Sequence, residues 1–247
     1  MNKILEIKNL TNSFLFQNIS LTLYQGDFVA ISGSSNCGKT TLLRMILGYL
    51  PYEGKIKCDG AIENFIYFVT PRFSLDTDCT VKAEFLRYTD KTNLVQNIAK
   101  EYHIDSILTH NFSLLSKNEL IKFQLALAEI KEMKLLLLDN IFLTFAEEEK
   151  QYFLQLLKEK CHTGSLTVLM ATSSLEETVF TDYLYIFQGG KIVLQGKPEL
   201  VYQEDHALVK LGVSNPFYVD LSLKLKFYEV MDSIGYDEDM VVNALWN

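Results

Sequence analysis

The run Gly33-Ser34-Ser35-Asn36-Cys37-Gly38-Lys39-Thr40-Thr41 fits G-x-x-x-x-G-K-[ST], the pattern of a phosphate-binding P-loop. Its chemistry is anion holding: backbone N–H groups of the loop and the positive end of the following helix converge on one spot. Lys39 is expected to reach the β- and γ-phosphates, and Thr40 to offer a hydroxyl to Mg2+. ATP or GTP is the ligand this implies. A second candidate is Asp139, which ends the apolar run Leu135-Leu136-Leu137-Leu138. At the C-terminal end of a buried strand beside a P-loop, its carboxylate can reach Mg2+ through water, as a Walker B aspartate does. Taken alone, such a residue is more often a strand-end cap or turn residue; a P-loop about a hundred residues upstream reverses that reading.

These groups need a strand, a loop and a helix to position them. Phe28 to Ile31 is an apolar strand before the loop, and Leu42, Leu43, Met45, Ile46 and Leu47 follow it at helical spacing. Upstream, Ile4–Leu10 and Ile19–Leu23 alternate with the period of half-buried strands, so an antiparallel β edge is expected. A short β segment at Lys55–Cys58 and the apolar run Phe65–Val69 come next. From about Val81 to Ile130 the pattern turns helical, the mark of an inserted helical subdomain. Buried strands are predicted at Leu135–Asp139 and Thr167–Ala171, a helix at Tyr152–Leu157, and a hairpin from Tyr183 to Leu194 around Gly189-Gly190. After Pro198 the chain is predicted helical and amphipathic to its end.

A chain of 247 residues, 48% hydrophobic, can bury one α/β domain with an appendage. Its net charge of −8 argues against gripping a nucleic-acid backbone, so no nucleic-acid partner is expected. Cys37, Cys58, Cys79 and Cys161 show neither C-x-x-C nor metal-ligand spacing and read as reduced thiols of a cytoplasmic protein. The four histidines likewise show no ligand spacing. No apolar run is long enough to span a bilayer and no N-terminal signal pattern appears, so a soluble chain, able to sit on a membrane protein, is expected.

The sequence resembles the ATP-binding subunits of ABC transporters, and among them those of the energy-coupling factor (ECF) type. Leu5–Leu10, Gln25–Gly33, the P-loop, Gly54-Lys55-Ile56, Asp59-Gly60 and Gly190–Pro198 are similar to that family's landmarks, in order. Leu211–Phe217 and the terminal Ala244-Leu245-Trp246 resemble the C-terminal region of ECF ATPases. The resemblance implies a P-loop ABC ATPase domain over residues 1–200, with a helical subdomain at about 70–131. It also implies a C-terminal helical extension over 201–247, a candidate dimerisation region. It implies ATP with Mg2+, a paralogous ATP-binding subunit and a membrane coupling subunit as partners, and a place on the inner face of the cell membrane. Phe14 lies where the family stacks an aromatic on adenine, although an ordinary core Phe fits as well.

The departures from the family pattern fall on hydrolysis. The signature L-S-G-G-Q aligns with Leu115-Ser116-Lys117-Asn118-Glu119, which keeps the serine and loses both glycines. By the resemblance this stretch faces the partner's γ-phosphate, where Lys117 adds bulk and a charge of useful sign; the same four residues from Ser116 also fit a plain capping box. Asn140 stands where the family has its water-polarising Glu, and Ser173 where it has its switch His. An amide orients water but accepts no proton. The family's loop Gln aligns with Thr70 and the aspartate after the Walker B strand with Ala146. Glu147 or Glu148 could substitute as base. Asp76, Asp78 and Glu84 are candidates for pairing with Arg on a membrane subunit. The expectation is a degenerate ATP-binding subunit, hydrolysis-deficient in its own site, in a heterodimer with an intact ATPase. An ATP sensor outside any transporter and a slow true ATPase are the alternatives.

Overall fold

The computed structural model describes residues 2–12, 15–74 and 78–246. In β1 (Lys3–Thr11), Leu5, Ile7 and Leu10 point inward while Glu6 and Lys8 stay outside, and β2 (Ile19–Tyr24) pairs antiparallel with it, Leu21 opposite Ile7. β3 (Phe28–Gly33) is buried at every residue, as a strand covered on both faces must be. The P-loop leads from it into α1 (Lys39–Ile46), which buries Leu42, Leu43, Met45 and Ile46. β4 (Glu53–Cys58) takes the other edge of β1, so the expected antiparallel strands form a sheet of their own, order β2-β1-β4.

A single turn, α2 (Ile62–Phe65), delivers the chain to β5 (Ile66–Val69). Three helices follow: α3 (Val81–Phe85), capped by the Thr80 hydroxyl, α4 (Thr92–Glu101) and α5 (Lys117–Ile130). Phe123 of α5 is their centre. Its ring lies 5.0 Å from Phe85, 4.8 Å from Phe112 and 6.1 Å from Phe73. β6 (Leu135–Asp139), α6 (Glu147–His162), β7 (Thr167–Ala171), β8 (Tyr183–Gln188) and β9 (Lys191–Gly196) complete the core. Lys160 of α6 bonds Glu129 of α5 at 2.8 Å and Glu101 of α4 at 3.1 Å, joining the three helices.

The second sheet has the order β5-β6-β7-β3-β8-β9, parallel from β5 to β8 and antiparallel at β9. Its register aligns Ile31 of β3 and Asp139 of β6 with the same residue of β7, Ala171. β6 and β7 therefore finish level, and β3 runs two residues further into the P-loop at the same edge, where open α/β sheets hold ligands.

Beyond β9 come α7 (Pro198–Tyr202), α8 (Asp205–Lys210), α9 (Phe217–Phe227) and α10 (Glu238–Trp246). The prediction of helix to the end thus fails between α8 and α9, where Gly212 takes a φ of 69°, and again between α9 and α10. Glu229 takes a positive φ of 58°, which stops α9, and the Ser222 hydroxyl accepts the Gly235 N–H at 3.0 Å, folding the link back on the helix. The Tyr202 and Thr178 hydroxyls share a hydrogen bond of 2.7 Å, and the Phe217 N–H donates to Glu176 at 2.7 Å. These contacts seat the C-terminal helices on the segment after β7.

Candidate functional site

Two glycines shape the P-loop. A Cβ on Gly33 would lie 2.2 Å from the Phe187 carbonyl oxygen, so the strand must be bare where it leaves the sheet. Gly38 stands at φ 112° directly before α1, and a Cβ there would press within 2.8 Å of the Phe16 ring. Lys39 is buried, and its ammonium donates to the carbonyls of Gly33 at 2.7 Å and Ser34 at 3.1 Å. Among the described residues no carboxylate pairs with it. A buried ammonium held by two loop carbonyls and, at 3.6 Å, the Cys37 sulfur, at a helix N-terminus, leaves its charge to be balanced by an anion, which fits a phosphate group.

Across the crevice the Thr40 hydroxyl donates to Asp139 Oδ1 at 2.8 Å. A hydroxyl and a carboxylate at this spacing are the hard oxygen donors Mg2+ takes, directly or through water. Asn140 follows in the left-handed region, φ 49°, with its N–H on the Ala171 carbonyl at 2.8 Å. Its side-chain nitrogen reaches Asp139 Oδ1 at 3.4 Å and its side-chain oxygen accepts from the Ser173 hydroxyl at 3.1 Å. Loop residues 35–41, Asn140 and Ser173 line one cleft of about 420 Å3. Among the described residues no carboxylate other than Asp139 is bonded into this group. Glu147 instead pairs with Lys150 at 2.6 Å and accepts from Gln151, and neither Glu147 nor Glu148 borders the cleft. The cleft thus brings together Ser35, Asn36, Cys37, Gly38, Lys39, Thr40, Thr41, Asn140 and Ser173, with Gly33 and Asp139 behind them and Ser34 exposed on the loop. Phe14 lies outside the described residues; Phe16 is a core residue, edge-on to Phe187.

The Ser116 segment is elsewhere. Ser116 caps α5: its hydroxyl accepts the Glu119 N–H at 3.3 Å and the Glu119 carboxylate accepts the Ser116 N–H at 2.7 Å. The capping-box reading is therefore realised, and these bonds hold the Glu119 carboxyl below its usual range. Lys117 is exposed on the first turn. Asn118 turns away, exchanging two hydrogen bonds with Thr144: its amide nitrogen donates to the Thr144 carbonyl at 3.0 Å and its oxygen accepts the Thr144 hydroxyl at 2.5 Å.

One expectation near Thr70 changes. Glu84 is buried and paired with Arg87 at 2.8 Å, three residues on in the same stretch, so it is not a free acid for a partner. Asp76 lies outside the described residues. Thr70 itself is held by Gln124, a residue the sequence reading passed over. The available signal was one amide inside the apolar run from Leu120 to Ile130.

A model of the ABC transporter family matches residues 16–142. This chain belongs to that family. ECF transporter ATP-binding protein EcfA of Pediococcus pentosaceus is 25% identical, the match covering 90% of this ABC chain and 88% of that protein. EcfA1 of Mesomycoplasma hyopneumoniae strain J is 23% identical over 96% of this chain and 93% of its own. Among solved structures, cbiO1 of Clostridium perfringens, described as part of the ABC transporter complex cbiONQ, superposes with a TM-score of 0.72 at 21% identity. That match covers 93% of this chain and 99% of cbiO1, and shows the shared fold.

Proposed function

We propose that this chain is an ATP-binding subunit of an ECF-type importer that holds Mg-ATP and does not hydrolyse it in its own site. One observation carries the reading: the intact group Lys39, Thr40 and Asp139 stands beside an Asn140–Ser173 pair that is hydrogen-bonded to itself. Lys39 and the loop N–H groups would hold the phosphates, while Thr40 and Asp139 would hold Mg2+, which supplies charge neutralisation at the terminal phosphates. The Asn140 oxygen can accept a hydrogen bond from water but cannot take its proton, so the general-base contribution of roughly 10²- to 10⁴-fold is missing.

The chain then works as a heterodimer with a catalytically intact paralogue, docked on a membrane coupling subunit at the inner face of the membrane. Two observations support this. Among the described residues no helix is long and apolar enough to cross a membrane, so attachment would run through partners. Phe227, Tyr228 and Trp246 of the 201–247 extension are exposed, which suits contact with another subunit. The 1–200 stretch serves as the ATPase domain, with the helices between about 70 and 131 as its helical subdomain. Toward the partner's nucleotide the chain offers Ser116 and Lys117.

The experiment is Mg-ATP calorimetry followed by phosphate release, on the purified chain alone and with a catalytically intact paralogous ATPase. Binding without turnover alone, and turnover in the pair, is expected. Turnover by the isolated chain at a rate typical of transport ATPases overturns the proposal.

A further inference from the structure

Gln124 has no exposed surface, and every hydrogen of its amide is used. Its nitrogen donates to the carbonyls of Thr70 and Leu120, each at 3.1 Å, and its oxygen accepts the Thr70 N–H at 3.1 Å. The orientation is forced, since the two carbonyls need donors and the N–H needs an acceptor. Thr70 is the residue directly after β5, where the chain leaves the sheet toward α3. Its own hydroxyl accepts the Arg72 N–H at 3.3 Å, so the departing turn is fixed as well. The return connection is short: the Met133 N–H bonds Ala128 and the Lys134 N–H bonds Phe65 as α5 runs into β6. At the far end of α5, Asn118 and Thr144 tie the helix start to the loop after β6. α5 is thus tied near both ends and in its middle to segments that border β5 and β6, and none of these ties involves the P-loop cleft.

We infer that Gln124 is a positioning residue that locks the Thr70 turn to α5 whatever the P-loop cleft contains, so that the α3–α5 helices keep one orientation on the sheet. Any movement of these helices about the exit after β5 must break a buried, two-way amide contact, and buried polar groups are not left unpaired cheaply. A subunit seated over this region would then meet a fixed surface on this chain. The nucleotide arm of the test rests on the proposed ATP-binding function; the clamp itself does not.

Amide hydrogen exchange at Thr70 and Arg72 tests it in the full chain, with and without Mg-ATP, beside Gln124→Met and Gln124→Leu. In the wild type, Thr70 is expected to exchange slowly and to change by no more than about twofold when Mg-ATP is added. Gln124→Met should speed Thr70 exchange by about tenfold without nucleotide, and a nucleotide-dependent difference should appear across α3–α5 that the wild type lacks. Merely lowered stability would speed exchange throughout and create no such difference. Wild-type Thr70 exchange that shifts tenfold with Mg-ATP, or exchange in folded Gln124→Met as slow as in wild type, overturns the inference. If both variants fail to fold, the wild-type comparison decides alone. If calorimetry on the same samples shows no ATP binding, the proposed function fails, and the nucleotide-free comparison of wild type with Gln124→Met still decides the clamp.

Discussion

The Ser173 hydroxyl donates 3.1 Å to the side-chain oxygen of Asn140, while the nitrogen of the same amide lies 3.4 Å from the Asp139 carboxylate. Together with Thr40 this makes an unbroken chain of polar contacts from the P-loop to the segment after β7. The Asn140 and Ser173 side chains satisfy each other, and neither an amide nor a hydroxyl gains or loses a proton near neutral pH. Each therefore has a structural use in joining the ends of β6 and β7.

Asn140 is also chosen by its backbone. At φ 49° asparagine is among the residues that tolerate the left-handed region, whereas a longer L side chain there costs about 1 kcal/mol. Asn140→Glu is expected to lower the urea-unfolding stability by about that amount and to restore only part of the hydrolysis rate, because groups acting as a unit are not additive. Full transport-type turnover from this single change would show that the pair does not silence the site.

For Lys39→Ala, charge-assisted contacts worth about 1.5–3 kcal/mol are removed, so Mg-ATP affinity should fall by roughly 10- to 100-fold in calorimetry. Equal affinities for mutant and wild type would remove the P-loop from the argument.

Ser116→Ala has two separable readouts. Loss of the cap on α5 should cost about 1 kcal/mol of stability, which Ser116→Thr should largely retain. In the heterodimer, the hydrolysed nucleotide is expected on the partner's P-loop, facing Ser116 and Lys117. Ser116→Ala should then reduce turnover more than Asn140→Gln does, and the reverse order would exchange the working and silent sites.

The site was legible where it rests on motif spacing and illegible where it rests on side chains meeting across the fold. Thr40 and Asp139, though far apart in the chain, were paired by pattern, because a P-loop and a Walker B strand have fixed places on a parallel sheet. Asn140 and Ser173 were recognised as substitutions, but their hydrogen bond to each other depends on β6 and β7 ending level, which register alone decides. Gln124 leaves only the faint trace of one amide among largely apolar neighbours, since a buried amide differs from a surface one only in what folds over it. Glu84 was read as a free acid, and Arg87 three residues later was the overlooked sign of local pairing. The C-terminal helices were found without their breaks, the second because Glu229 carries no sequence mark of a positive φ.

Glu177 gives the structure a pH signature. It is buried on the turn after Ser173, and burial raises its carboxyl above the usual range, with the Thr172 hydroxyl and Lys150 pulling the other way. The folded chain therefore holds this proton to higher pH than the unfolded chain. Its contribution to stability is full below the ordinary carboxylate range and is lost as pH rises through the raised value. Glu177→Gln should melt higher than wild type at pH 8, and the advantage should vanish below the ordinary carboxylate range. A lower melting point for Glu177→Gln at pH 8 would show that the Thr172 contact to the ionised carboxylate outweighs burial.

The position of β3 sets a schedule for the chain during synthesis. The strand that carries the P-loop has β7 on one side and β8 on the other, and both lie in the last third of the sequence. Gly33 to Thr41 leave the ribosome early, yet β3 has no neighbouring strand to pair with until residues 167–188 follow. Such long-range pairing makes assembly slow, and a chain ending before Thr167 should have no nucleotide cleft at all. Nucleotide can then select only completed molecules, adding its binding free energy to the finished sheet and none to the partial ones.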